Sequence, residues 1–327
     1  MTIETVGTPL RVVVTGATGF VGSALVDALK NNQNYLPISV VRSTPRNDAA
    51  NANVFLIPGL SSTTDWSDGL KDAGIVVHAA ARVHVMKEVS GDALAEFRKV
   101  NVEGTVNLAR QAAAAGVKRF VFISSIKVNG EATHIGRPFK ADDRPAPSDP
   151  YGVSKQEAEE ALRVISAETG MEVVIIRPTL IYGPGVKANF RNMMGWLKKG
   201  IPLPFGAISN KRSLVSIDNL VSLIVLCMEH PAAAGETFLV SDGVDLSTTE
   251  LLARTADALG VKSRLIPVPS SLLVFGAVAL GRRSLSQRLC GSLQVDIQKT
   301  KSLLGWNPPV SVEEALNRTA KDFLEQR

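Results

Sequence analysis

The chain is poor in cysteine, and its cysteines are not arranged for a structural site. Only two occur in 327 residues, Cys227 and Cys290, and neither belongs to a CxxC or Cys/His pattern of ligand spacing. Disulfide-stapled scaffolds and zinc modules need several such residues at fixed intervals. The sequence therefore predicts reduced thiols and no metal site.

Long apolar segments and long runs of one charge are also missing. The longest apolar run, residues 272–280, is about half of what a bilayer-crossing helix needs. It predicts a core or amphipathic helix and no stable membrane insertion, with loose membrane contact as the less favoured alternative. Residues 1–9 lack the pattern of a signal peptide, so a cytoplasmic protein is expected. The formal charge of +5 contains no run of five or six basic residues, which argues against a nucleic-acid partner.

The composition is that of a globular enzyme, with 45% hydrophobic and 20% charged residues. Apolar runs that predict strands occur at residues 10–15, 36–41, 54–57, 75–80, 120–124 and 173–176. Helix-like stretches separate them, the clearest at 93–115 and 154–169. Continuous apolar strands between helices indicate a parallel sheet that is covered on both faces. The expected fold is α/β, a doubly wound parallel (Rossmann) sheet.

The regular alternation ends after Arg177 and Pro178, where a passage rich in glycine and proline begins. A strand at 214–217 and an apolar helix at 219–229 predict one return to the sheet. We therefore expect a dinucleotide-binding domain at 8–182, plus about 213–230. Residues 183–212 and 231–327 are expected to form a smaller, interleaved substrate domain.

Three glycines, Gly16, Gly19 and Gly22, lie where the first strand turns into the first helix. Such a turn lets the backbone approach a pyrophosphate at the positive end of the helix. The acidic residue that would favour NAD about twenty positions later is absent. Arg42 and Arg46 follow the second strand instead and suit a 2′-phosphate. NADP(H) is thus the favoured cofactor, with NAD(H) as the alternative.

A tyrosine and a lysine, Tyr151 and Lys155, are four residues apart in the sequence YGVSK. On a helix this spacing places both side chains on one face. A nearby ammonium lowers the pKa of a phenol and prepares it for proton transfer. Ser125 supplies a hydroxyl at the end of the fifth strand, on the sheet edge where ligands of doubly wound folds bind.

Six motifs together resemble the extended short-chain dehydrogenase/reductase family: TGATGFVG at 15–22, HAAA at 78–81, Asn101 in VNVEGT, SS at 124–125, YGVSK at 151–155 and RPTLIYGPG at 177–185. The resemblance covers nearly the whole chain and is strongest to enzymes of nucleotide sugars, the 4-epimerases and the 4-keto-6-deoxy-sugar reductases. The segments SSIKVNG and FRNMMGWLKKGIPLP are most similar to reductases that form UDP-N-acetylquinovosamine.

The resemblance implies a role for each matched residue. Tyr151 would be the general acid/base, Lys155 would hold the nicotinamide ribose, and Ser125 would orient the sugar. The implied cofactor-binding residues are Gly16, Thr18, Gly19, Phe20, Val21, Arg42, Ala79, Ala80, Asn101, Ser124, Tyr151, Lys155 and Pro178. The implied substrate-binding residues are Ser125, Asn189, Arg212 and Arg288. Relatives commonly have VYG where this chain has residues 128–130, VNG, so an altered sugar pocket is expected.

Three functions remain open at this level. The first is reduction of a UDP-4-keto-6-deoxy-N-acetylhexosamine by NADPH, for a bacterial surface polysaccharide such as O-antigen. The second is a UDP-glucose or UDP-N-acetylglucosamine 4-epimerase with tightly bound NAD. The third, of another class, is a catalytically silent dinucleotide-binding regulator, which the retained Tyr151, Lys155 and Ser125 disfavour. The resemblance also implies a homodimer formed through the helices at 93–115 and 154–169.

Overall fold

The computed structural model describes residues 8–43, 53–83, 92–279 and 283–326. Within these residues the strands are β1 (Leu10–Thr15), β2 (Tyr35–Val41), β3 (Val54–Leu56), β4 (Ile75–His78), β5 (Arg119–Ile123), β6 (Glu172–Pro178), β7 (Leu180–Tyr182), β8 (Arg212–Ser216), β9 (Thr237–Val240) and β10 (Asp245–Leu246).

The α-helices are α1 (Phe20–Lys30), α2 (Ser67–Leu70), α3 (Ala93–Phe97), α4 (Gly104–Ala114), α5 (Pro150–Thr169), α6 (Ala188–Lys198), α7 (Ile217–Glu229), α8 (Thr248–Ala258), α9 (Ser270–Ala279), α10 (Arg283–Cys290), α11 (Gln298–Leu304) and α12 (Val312–Glu325). A π-helical segment, Arg98–Glu103, joins α3 to α4. Short 3₁₀ turns occupy Ile126–Val128 and Pro231–Ala233.

Seven strands form the main sheet, in the order β3-β2-β1-β4-β5-β6-β9. The pairings that run from β3 to β6 are parallel. The Rossmann fold predicted from the alternation of strands and helices is confirmed. Chain order reverses between β1 and β4, and ligands of doubly wound folds bind at such a switch point.

Burial explains why the apolar runs become central strands. Val13 of β1, Val76 of β4 and Phe120 of β5 are inaccessible to solvent, and they belong to one core cluster with Leu108 of α4 and Leu162 of α5. Helices on the sheet faces remove both sides of each strand from water, so these strands carry no alternating polar residues.

The chain divides into two compact units. The first contains the described residues of Met1–Asn129, Arg144–Arg177 and Leu223–Phe238, and the second those of Gly130–Asp143, Pro178–Ser222 and Leu239–Arg327. A smaller sheet, β10-β8-β7, lies in the second unit. There Asp242 is buried, accepting hydrogen bonds from the Tyr182 hydroxyl at 2.8 Å and the Asn219 amide at 2.7 Å.

Two expectations from the sequence are wrong. The strand predicted at 214–217 does not rejoin the main sheet: β8 pairs with β7 and β10, and β9 is the additional strand of the main sheet. Apolar character predicts that a strand is buried but not which strand it pairs with. The run at 272–280 is not core either, since no residue of α9 is buried.

Candidate active site

The glycine turn after β1 is built for close backbone approach. Gly16 has φ +69°, and a Cβ there would lie 2.8 Å from the Ala80 nitrogen. A Cβ on Gly22 would lie 2.1 Å from the Gly16 carbonyl oxygen. The helix α1 begins after Gly19, without a side-chain cap and without an acidic residue in its first turn. Its uncapped amides suit an anionic phosphate, so the turn fits the pyrophosphate of a dinucleotide.

The other predicted residues around this turn are accessible. Thr18 is exposed, and Phe20 and Val21 in the first turn of α1 are half-buried. Ala79 and Ala80, which follow β4 at the switch point, are also half-buried. Arg42 is exposed just beyond β2, whereas Arg46 lies outside the described residues.

His78, at the end of β4, is buried and hydrogen-bonded through both ring nitrogens. The Thr15 hydroxyl lies 2.6 Å from Nδ1, and the Thr105 hydroxyl lies 3.0 Å from Nε2. Thr105 already donates to the Asn101 carbonyl at 2.7 Å, so its oxygen accepts from the histidine and Nε2 carries the proton. Burial, with a smaller contribution from the positive charge of Lys155, lowers the pKa of His78 to about 3. A neutral imidazole with both nitrogens engaged does not act as a base at physiological pH.

Asn101 lies on the π-helical segment and connects two parts of the site. Its Oδ1 accepts from the Arg82 backbone amide at 2.8 Å, and its Nδ2 donates to the Ser154 hydroxyl at 3.0 Å. The loop after β4 and the helix α5 are therefore tied to one amide side chain. Insertions of π-helix are frequent at functional sites because they redirect one residue of a helix.

Tyr151 and Ser125 lie together, as the motifs predict. The helix α5 starts at Pro150, four residues earlier than expected, with Asp149 as its N-cap accepting from the Gly152 amide at 2.7 Å. Tyr151 therefore lies in the first turn of the helix. Its side chain is hydrogen-bonded to that of Ser125, which follows β5. The Phe97 ring packs edge-on against the Tyr151 ring at 5.9 Å between centroids.

The pKa values of Tyr151 and Lys155 differ from what the sequence predicts. Burial, followed by the charge of Asp149, raises the pKa of Tyr151 to about 12, although the bond from Ser125 lowers it. Burial also lowers the pKa of Lys155 to about 7, which the Glu159 carboxylate partly opposes. The Lys155 amine lies over the Phe122 ring, 3.9 Å from its centroid. The four-residue spacing of Tyr151 and Lys155 gives no information on their burial. Here the cost of burying their charged forms outweighs the attraction between phenolate and ammonium.

A buried polar network behind Lys155 was not found from the motifs. Glu159, one turn beyond Lys155, is fully buried and forms a two-fold ion pair with Arg177 of β6, at 2.9 Å (Nε to Oε1) and 2.6 Å (Nη2 to Oε2). The Ser124 hydroxyl, expected to lie toward the cofactor, donates to Glu159 at 2.6 Å. Arg177 also donates to the Asn129 side chain at 2.9 Å. The detectable signal was the spacing of Tyr151, Lys155 and Glu159, which places all three on one face of α5.

A second ion pair lies at the start of α5. The Lys127 ammonium contacts Asp149 Oδ2, while Oδ1 of the same carboxylate caps the helix. The Lys127 backbone amide donates to Ser125 Oγ at 3.3 Å. Lys127 thus connects the residue that caps α5 to the segment that carries Ser125.

The remaining predicted site residues belong to the second unit. Pro178 ends β6, and Asn189 is exposed in the first turn of α6. Arg212 begins β8 and donates to the Gly291 carbonyl at 3.1 Å. Arg288 lies in α10, and its side chain is outside the described part of the structure. Their role in substrate binding stays a prediction. No group of three or more metal-ligating side chains is found among the described residues.

Known proteins share the sequence pattern and the fold of this chain. The profile of the NAD dependent epimerase/dehydratase family matches residues 12–241. A Vibrio cholerae protein named UDP-glucose 4-epimerase is 50% identical over 318 residues, 97% of this chain and 96% of its own. UDP-glucuronic acid 4-epimerase from Bacillus cereus, solved with NAD, superposes with a TM-score of 0.78 at 22% identity, covering 97% of this chain and 99% of its own. UDP-glucose 4-epimerase from Thermotoga maritima, solved with UDP-glucose, gives 0.76 at 25% identity, over 97% and 99%.

Proposed function

Because this chain belongs to the NAD-dependent epimerase/dehydratase family, we propose that it inverts the configuration at C4 of a UDP-linked hexose or N-acetylhexosamine, with NAD retained through the cycle. The observation that carries the proposal is the placement of Tyr151 and Ser125 at the carboxyl end of β5, with Lys155 one helical turn further along α5. The 50% identity to the Vibrio cholerae protein named UDP-glucose 4-epimerase supports the choice of reaction.

The residues of the chain supply the cofactor site and the proton chemistry. The backbone around Gly16 and Gly19 fits the pyrophosphate, and Ala79 and Ala80 line the switch point beside it. A nicotinamide bound there would accept a hydride from C4 and return it to the opposite face of the sugar ring. The chain itself must move the proton at O4 and hold the sugar while it turns.

Tyr151 is the proton-transfer group. Its pKa of about 12 keeps the phenol protonated at neutral pH, so it can donate to the oxygen of a C4 carbonyl. Oxidation of a C4 hydroxyl requires the reverse, namely acceptance of the O4 proton by the phenolate. Burial and Asp149 raise the pKa of Tyr151 and so oppose the phenolate, whereas the Ser125 hydrogen bond favours it. Ser125 would also hydrogen-bond the oxygen that exchanges the proton.

A second candidate is reduction of a UDP-4-keto-6-deoxy-N-acetylhexosamine to UDP-N-acetylquinovosamine, with NADPH consumed in each turnover. The observation that favours it is the end of β2, where Arg42 is exposed and residues 35–43 contain no acidic side chain. A guanidinium there suits the 2′-phosphate of NADPH, and a reductase must exchange its cofactor after every cycle.

One experiment separates the candidates. The purified enzyme is incubated with UDP-glucose or UDP-N-acetylglucosamine without added cofactor, and separately with a UDP-4-keto-6-deoxy-N-acetylhexosamine plus NADPH. Epimerisation predicts formation of the C4 epimer in the first reaction and release of NAD from denatured protein. Stoichiometric loss of NADPH absorbance in the second reaction alone would replace the 4-epimerase by the reductase. The absence of turnover in both reactions would contradict both enzyme candidates and favour the catalytically silent dinucleotide-binding regulator.

A further inference from the structure

The net charge of the chain is concentrated in one segment. Residues 258–295 contain five Lys and Arg residues and no Asp or Glu, and we call them the acid-free segment. The chain's totals are 36 basic and 31 acidic residues, so the rest of the chain carries 31 of each. The whole formal charge of +5 therefore arises from the acid-free segment.

The helix α9 lies in the middle of this segment and is apolar on all sides. Its sequence, SSLLVFGAVA, contains no charged residue, and none of its residues is buried. Leu272 is 61% exposed and Phe275 is 73% exposed, with Val274 and Val278 at 38% each. Ile266, shortly before the helix, is 49% exposed. Singly exposed apolar residues are ordinary, but a contiguous apolar patch marks an interaction site.

Basic residues flank the helix on both sides. Lys262 and Arg264 precede it and are exposed, and Arg282 and Arg283 follow it in the sequence. A membrane interface accepts exposed apolar side chains at the acyl boundary and basic residues at the lipid headgroups, and Leu272, Phe275 and the nearby Lys262 and Arg264 supply both. Ten residues span about 15 Å as a helix, half of a bilayer core, so α9 is too short to cross. No described helix is long and apolar enough to span a membrane.

The charge distribution also separates the candidate occupants of this surface. A symmetric contact between two copies places the same patch on both sides, and the acid-free segment would then meet a second copy of itself that has no acidic residue to pair with its cations. A nucleic acid would satisfy the charges but not Phe275 and Leu272. An anionic lipid surface offers headgroup charge for the Lys and Arg residues and an acyl boundary for the apolar side chains.

We propose that α9, together with Lys262 and Arg264, seats this enzyme on the surface of an anionic phospholipid membrane, with Leu272 and Phe275 inserted at the headgroup boundary. Binding is reversible, because one short helix and a few cations give only modest membrane affinity. The proposal is independent of the reaction at C4, since no residue of the candidate active site lies in α9.

The test is co-sedimentation of the full-length protein with vesicles, either of phosphatidylcholine alone or of an equal mixture with phosphatidylglycerol. We expect binding to the mixed vesicles that weakens as salt is raised. The double variant Leu272→Ser/Phe275→Ser should bind at least about tenfold more weakly. Ile135→Ser, at an equally exposed apolar residue elsewhere in the second unit, is the matched control and should bind as the unchanged protein does.

A second variant tests the contribution of charge. Lys262→Gln/Arg264→Gln should weaken binding to the mixed vesicles by about fivefold per cation removed. The proposal is overturned if the unchanged protein stays in solution with both vesicles, or if the Leu272→Ser/Phe275→Ser variant sediments like the control. A protein that is dimeric by sedimentation velocity and becomes monomeric in that variant would show instead that a second copy covers the helix.

Discussion

Two helices of this protein reverse the usual relation between polarity and burial. The helix α5 carries six charged residues in its twenty, yet Lys155 and Glu159 are almost completely removed from solvent. The helix α9 carries no charge in its ten residues, yet none of them is buried. Both depart from the rule that apolar residues are inside and charges outside.

The two helices differ in whether the protein itself provides partners for these residues. In α5 it does: Arg177 and Ser124 hydrogen-bond the carboxylate of Glu159, and the Phe122 ring lies beneath the Lys155 amine. In α9 the described residues leave most of the Phe275 and Leu272 side chains exposed. The buried charges of α5 thus mark it as the proposed site of chemistry, whereas the exposed apolar side chains of α9 point to a partner outside the chain.

The largest expected effect is on the chemistry of α5. Tyr151→Phe removes the proton that the proposed reaction exchanges at O4 but keeps the ring that packs on Phe97, so turnover should fall by about 10²–10⁴-fold with the fold intact. Steady-state kinetics and circular dichroism measure the two effects. Tyr35→Phe on β2, a tyrosine outside the site, is the control and should retain turnover. A Tyr151→Phe enzyme with nearly full activity would remove Tyr151 from the mechanism.

The buried ion pair predicts a large effect on stability. Glu159→Gln keeps the shape of the side chain but leaves the Arg177 guanidinium buried without its counter-charge, which should cost about 3–5 kcal/mol of unfolding free energy. Glu313→Gln removes the partner of Arg254 at an exposed site and should cost at most about 1 kcal/mol. Urea unfolding of the two variants compares them directly. Equal losses would mean that burial of Glu159 carries no special penalty.

Lys155 should make the protein less stable than a neutral residue would. Its folded pKa of about 7 lies below the ordinary 10.5, so between these values the unfolded chain binds more protons. Stability from this group therefore rises with pH from about 7 to 10.5, and the penalty is complete below pH 7. Lys155→Met should raise stability at pH 7 by on the order of a few kcal/mol while reducing activity.

Unfolding free energies measured across this pH range test the assignment. The unchanged protein should gain more stability than Lys155→Met between pH 7 and 10. Parallel curves for the two proteins would show that the buried amine is not the titrating group.

Local sequence signals account for most of the fold. The strand bounds were predictable because continuous apolar runs are what a covered parallel sheet requires, and β1 has the predicted bounds. The early start of α5 was also readable, since Asp149 followed by Pro150 is a helix-start signal. The π-helical segment around Asn101 was not, because one extra residue in a helix hardly changes its periodicity.

The remaining features of the fold and the site could not be predicted, because they depend on long-range strand pairing and on burial. No local feature of β8 indicates that it pairs with β7 rather than with the main sheet. The ion pair of Glu159 joins residues 18 positions apart on a helix and a strand, and its burial depends on the complete fold. For the same reason the spacing of Tyr151 and Lys155 located the pair but gave the wrong direction for the pKa of the phenol.

The smallest expected effect tests whether the apolar side chains of α9 are exposed in the isolated protein. If α9 is covered by something outside the chain, Phe275→Ser should change the unfolding free energy of the isolated protein by no more than about 0.5 kcal/mol. Phe238→Ala, at a phenylalanine of β9 that is inaccessible to solvent, should cost about 3–5 kcal/mol. Both are measured by urea unfolding without lipid. A loss above about 2 kcal/mol for Phe275→Ser would mean that the chain itself buries this ring in solution, and the contrast between α5 and α9 would then disappear.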